Sequence, residues 1–136
     1  MADRLSLEVA TPTKQAVAET VDEVVIPGSE GYFGVLPGHA PFLATLGIGE
    51  LTYRQGREER HLAIAGGFGE VRNDKVIVLA DVAETPEEID RSRAERARDR
   101  AERRLSGRAQ EEVDYARCMA ALARASTRLQ VASRGR

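Results

Sequence analysis

The sequence predicts an all-β N-terminal sandwich, antiparallel and of about ten short strands, followed by a C-terminal α-helical hairpin. Three observations carry this. Turn signals recur roughly every 8–12 residues, with no helical period, up to about residue 85. At Thr85-Pro86-Glu87-Glu88 the character changes within three residues to helix-forming sequence. The charge also divides there: residues 1–86 carry 7 Lys/Arg against 13 Asp/Glu, whereas residues 87–136 carry 13 Arg against 9 acids. Such asymmetry implies two bodies with different partners, a sandwich over residues 1–84 and a hairpin over residues 85–136.

In the first body, LSLEVA (5–10) alternates and puts Leu5, Leu7 and Val9 on one face. Thr11-Pro12-Thr13 breaks the run, and Gln15–Ile26 reads as another strand or pair of strands. The segment GYFGVLPGHAPF (31–42) is the corner around which the other strands are organised. Its glycines and prolines force short strands and tight turns, and it holds two of the three Phe. It is not a phosphate loop, because it has no Gly-Lys-Ser/Thr ending and leads into more alternation rather than a helix. Phe42–Leu46 and Ile48–Tyr53 are strands separated by Gly47. Glu58–Ala65 is a strand with Leu62 and Ile64 on one side. Gly66-Gly67-Phe68-Gly69 bends the chain, and Asn73-Asp74 turns it into Val76–Ala80.

In the second body, Thr85 is placed as N-cap, Pro86 at N1 and Glu88 at N3 of a first helix. Gly107 suits the C′ position, and Gln110–Ser133, which lacks Gly and Pro, forms the second helix. The apolar stripes are thin: Ala94, Ala97, Ala101 and Leu105 on one helix, and Cys118, Ala121, Leu122, Ala125 and Leu129 on the other. Alanine buries little area, so the hairpin must lean on something else. At 100° per residue Asp90, Arg93, Arg100 and Arg104 share a narrow arc beside the first stripe. Arg117, Arg124 and Arg128 fall within about 40° of one another on the second helix. Arg100/Arg104 and Arg124/Arg128 are like-charge i,i+4 pairs, so the rows are either a solvated face or a polyanion site.

Composition closes other routes. No apolar run approaches 18 residues, and the N-terminus lacks the build of a signal peptide, so a cytosolic protein is expected. One cysteine, Cys118, and two histidines, His39 and His61, offer no disulfide and no metal cluster. Cys118 reads as packing and His39 as a turn residue. The hairpin has no Lys, the aromatics are few and the arginines are interleaved with acids, which argues against nucleic acid.

The corner VVIPGSEGYFGVLPGHAPFLATLGIGEL, the segment AIAGGFGEV and the capped IDRSRAERARDRAERRL together resemble the epsilon subunit of bacterial F-type ATP synthases, over essentially the whole chain. The resemblance implies a non-catalytic rotor subunit, peripheral on the cytoplasmic face of the cell membrane and not inserted in it. Its sandwich would grip the gamma subunit and touch the ring of c subunits. Its mobile hairpin would extend into the alpha/beta catalytic head and restrain ATP hydrolysis. No cofactor is required, but ATP is a possible regulatory ligand of the folded hairpin. The family's motif Ile/Leu-Asp-x-x-Arg-Ala is matched by Ile89, Asp90, Arg93 and Ala94. Its later arginines match Arg100, Arg124 and Arg128, and Glu84 stands where the family places an acid. The alternative is a free-standing ATP-sensing module.

Overall fold

Period-two alternation sends Leu5, Leu7 and Val9 inward along β1 (Leu5–Ala10), and all three are fully buried. The computed structural model of the chain describes residues 3–107 and 112–135, with the second helix's side chains described from Tyr115 onward. Seven strands succeed β1: β2 (Gln15–Val21), β3 (Glu23–Gly28), β4 (Gly31–Val35), β5 (Phe42–Thr45), β6 (Ile48–Gln55), β7 (Glu58–Arg72) and β8 (Lys75–Glu84). They run β2-β1-β8-β7-β6-β3-β4 in space, with β5 added beside β7. Leu51, Leu62, Ile64, Val71, Val76 and Val78 from the later strands complete one core with Val21, Val24, Ile26 and Val35.

The sandwich is as expected, with two differences. There are eight strands rather than about ten, because β7 is a single strand of 15 residues where a break at Gly66-Gly67 was expected. Its first half pairs with β6 and its second with β5, while β8 runs beside it from Ala63 to Arg72, across the bend. The double glycine turns the strand around the corner of the sandwich without ending its pairing. Gly66 and Gly67 have φ of 75° and 113°. A Cβ at Gly67 would lie 2.1 Å from the Leu79 carbonyl oxygen, an impossible approach to backbone. Gly67→Ala should therefore lower stability by about 3 kcal/mol or more, through both φ and the clash. A chemical-denaturation midpoint unchanged by the substitution would show that the bend tolerates a side chain.

The second difference is that β1 and β8 pair in parallel, Leu7 opposite Val76 and Val9 opposite Val78. The other pairings are antiparallel, and the Asn73-Asp74 hairpin turn has both residues at positive φ, 51° and 59°. That turn also pins the Gly-Pro corner, since the Gly38 N–H donates to Asp74 Oδ1 at 2.7 Å. Within the corner Phe33 and Phe42 meet edge to face at 5.1 Å.

Thr85 is the N-cap, with Pro86 first and the Glu88 box formed, as expected, but it caps a 3-10 turn and the α-helix starts later. Thr85 opens a 3-10 turn (Pro86–Glu88), in which the Thr85 N–H donates to Glu88 Oε1 at 2.9 Å. Lys14, from the β1–β2 loop, hydrogen-bonds the same carboxylate. Lys14 and then the Thr85 N–H hold the Glu88 carboxyl below its ordinary pKa. Ile89 is extended, and α1 (Arg91–Gly107) starts behind it with Asp90 as its N-cap, Asp90 Oδ1 accepting the Arg93 N–H at 3.1 Å. Extension at Ile89 lets its side chain enter an apolar cluster, which a helical start at Thr85 would not. Gly107 is the last residue of α1 rather than C′, and residues 108–111 lie outside the described residues, so the expected start of the second helix at Gln110 does too. The second helix, α2 (Glu112–Ala132), ends in a 3-10 turn (Ser133–Gly135).

The two helices pack on each other, and α2 packs on β6 and β7. Ala94, Ala101, Cys118 and Ala125 are buried, as the stripes require, while Ala97, Leu105, Ala121, Leu122 and Leu129 are half-buried. A small separate cluster of Ala63, Ile89, Val131 and Ala132 joins the hairpin to the sandwich.

Candidate functional site

Where α2 crosses the sandwich, a cavity of about 180 Å3 opens between Ile48, Ala63, Ala65 and Val82 of the sheet and Arg124, Thr127 and Arg128 of the helix, with Glu84 on its wall. Its floor is apolar and its helical side cationic. Glu84, the last residue of β8, receives Arg128 in a fork: Nε donates to Oε1 at 2.7 Å and Nη2 to Oε2 at 3.1 Å. Arg124, one turn earlier, is exposed and has no carboxylate partner among the described residues.

Three of the eight expected site residues thus meet at one cavity: Glu84, Arg124 and Arg128. The other five, at the start of α1 and along it, do not line the cavity. Ile89 is buried against Ala63, Val131 and Ala132. Asp90 caps the helix, and Ala94 is buried in the seam. Arg93 and Arg100 are exposed on α1, each one residue before a buried alanine, Ala94 and Ala101. Arg117 and Arg124 hold the same offset before Cys118 and Ala125 on α2. The two-fold relating antiparallel helices is perpendicular to their common plane, so equal offsets put both arginine rows on one side of the hairpin. On the second helix Arg124 of that row lines the cavity.

A second polar cluster was missed. Glu50, on β6, is buried to 8% exposure and accepts from Gln130 Nε2 (3.0 Å to Oε1) and from Arg134, Nε to Oε2 at 2.9 Å and Nη2 to Oε1 at 3.0 Å. His61 Nδ1 lies 3.2 Å from Oε2 and 3.0 Å from Thr52 Oγ1. Hydrogen bonding to Glu50 pushes the already high Arg134 pKa further up. The available signals were an acid inside the apolar run Ile48–Leu51 and an arginine, Arg134, just after the last helical turn.

Comparison with known proteins decides the family. Residues 4–86 match the ATP synthase delta/epsilon chain beta-sandwich domain, and residues 87–133 match the delta/epsilon chain long alpha-helix domain. The chain belongs to the ATP synthase delta/epsilon family. Relatives along its whole length include the ATP synthase epsilon chain of Solibacter usitatus, 52% identical over 98% of this chain and 99% of that one. The epsilon chain of Syntrophobacter fumaroxidans is 51% identical over 98% and 99%. Among solved structures, a chain of the Euglena gracilis mitochondrial ATP synthase (OSCP/F1/c-ring) superposes with a TM-score of 0.80 at 25% identity, covering 96% of this chain and 81% of that one. A Tetrahymena thermophila central stalk/c-ring structure shares the fold at a TM-score of 0.56 and 18% identity, over 96% and 95%. The role that goes with this family is that of a central-stalk subunit of the rotary ATP synthase. No helix among the described residues is long and apolar enough to cross a membrane.

Proposed function

We propose that this stalk subunit is not itself catalytic and restrains ATP hydrolysis through its hairpin, and that ATP bound between hairpin and sandwich holds the hairpin docked. The observation that carries this is the cavity at the junction of the two bodies, with an apolar floor, one carboxylate and two guanidiniums. A volume of about 180 Å3 is too small for a whole nucleotide, since drug-sized ligands occupy roughly 300–1,000 Å3. It suits the base, packed on Ala63, Ala65 and Val82. The triphosphate then runs outward along Arg124, Arg93 and Arg100, where a polyanion relieves the repulsion within the arginine rows. Glu84 would repel phosphate, so its place is at the adenine amino group or a ribose hydroxyl, and it keeps Arg128 oriented meanwhile. Ile89, Asp90 and Ala94 contribute by fixing where α1 starts.

Gamma and the c ring are the proposed partners of the sandwich, and the alpha/beta head that of the extended hairpin. On β7 and β8, Phe68 pairs with Leu79, and both are about half exposed, at 54% and 51%. With Leu43 they form an apolar patch of the kind that docks on another subunit. The complex would lie peripherally on the cytoplasmic face of the cell membrane.

Calorimetric titration of the full chain with ATP tests the nucleotide site. Binding should be detected at millimolar ATP or below. Arg124→Ala should weaken it by at least about tenfold, the loss of one charge-assisted contact to phosphate. Absence of heat for the intact chain, or equal affinity for Arg124→Ala, removes the site.

A further inference from the structure

Glu50 is the described residue of this chain that combines a charge with near-complete burial, and most of its partners come from the far end of the sequence. A buried carboxylate is costly unless paired and hydrogen-bonded. Here four contacts surround it, and only one, from His61, is supplied by the sandwich's own strands; Gln130 and the two arms of Arg134 come from the hairpin's last residues. Its main chain is fixed as well. The Glu50 N–H donates to the Tyr32 hydroxyl at 2.9 Å, and Gly49 is glycine because a Cβ there would lie 2.4 Å from that same oxygen. The acceptor is therefore held in place before the hairpin arrives.

We propose that Glu50 is a latch receptor, and that the hairpin is held to the sandwich chiefly at its chain end by Arg134 and Gln130. This rests on the reading that the hairpin leaves the sandwich. Other ties lie at the same end. Val131 and Ala132 are buried beside Ala63, and Gly135 lies against Pro86 of the first 3-10 turn. Arg128 and Glu84 add a further tie one turn earlier. Among the described residues from Arg91 to Ser106 no tie to the strands is comparable, so opening begins where the C-terminal turn lifts off. An alanine-rich hairpin released from its support is marginal as a helix and opens readily.

Native-state trypsin digestion of the full chain without nucleotide reads this directly. Cleavage within helices follows the population of the opened form, and the hairpin offers many arginines. Arg134→Ala, at the chain terminus and outside the core, should speed cleavage within α1 and α2 about tenfold, equivalent to about 1.4 kcal/mol, with β6–β8 cleaved no faster than in the wild type. Arg134→Lys, which keeps the charge but not the fork, should fall between. Glu50→Gln should match Arg134→Ala, and the double variant should be no faster than either, as for two halves of one contact. Wild-type cleavage of Arg134→Ala, or multiplying effects of the two substitutions, would overturn the latch. A chain ended at Gln130 separates the two failures. If it is cleaved faster while Arg134→Ala is not, the apolar cluster alone holds the hairpin. If it too is cleaved at the wild-type rate, detachment of the hairpin is wrong as well.

Discussion

A chain ended at Glu84 should fold by itself, and an ATP synthase carrying it should hydrolyse ATP several-fold faster than the wild-type enzyme. The folding half follows from where the apolar area is buried. The main core, from Leu5 to Ala83, is drawn entirely from the sandwich, its strands and Leu46 between β5 and β6, whereas the hairpin adds Ile89, Val131 and Ala132 against the single sandwich residue Ala63. Each large aliphatic chain in the main core is worth about 1.5–3 kcal/mol on burial, and alanine far less. Removing the hairpin exposes Ala63, part of Ile48 and the Glu50 carboxylate, which then gains water in place of Arg134. The functional half follows from the proposed restraint by the extended hairpin, whose arginines would meet acidic surfaces of the head in a salt-sensitive contact. Circular dichroism of the isolated short chain and steady-state hydrolysis by the reassembled enzyme check the two halves. An unfolded short chain would show that the bodies depend on each other, and unchanged hydrolysis would remove the regulatory role.

The sandwich was largely legible because its signals are local. Alternation in LSLEVA, the Asn73-Asp74 turn and the glycines of the corner each act within a few residues, and each appears as expected in β1, the β7–β8 turn and β4. What alternation cannot give is which strand lies beside which. The parallel pairing of β1 with β8 joins Ser6 to Lys75 with no local trace. Nor did Gly66-Gly67 reveal whether pairing stops or merely bends there. In the hairpin the arginine rows were legible from the 3.6 period, and the capping box at Thr85 formed as expected, but it caps a 3-10 turn; that α1 starts only beyond Ile89, which is buried against Ala63, is a tertiary matter with no local signal. The Glu50 cluster was illegible for the same reason, its hairpin partners lying 80 and 84 residues away.

The second large effect is on the hairpin itself. ATP that binds only when hairpin and sandwich are packed stabilises that state by RT ln(1 + [L]/Kd), about 2.7 kcal/mol at a hundredfold excess over Kd. Local opening of α1 and α2 should then become roughly a hundredfold rarer, while the opening of strands in the main core, governed by global unfolding, changes less. Arg128→Ala, which removes a guanidinium from the cavity and its fork to Glu84, should lose most of this protection. Amide hydrogen exchange of the full chain, with and without millimolar ATP, reads the docked hairpin and its ligand in a single experiment. The predicted result is slowed exchange across Arg91–Gly107 and Glu112–Ala132 that depends on Arg124 and Arg128. Exchange in these helices that is indifferent to ATP would contradict it, and the arginine rows would then be a solvated face.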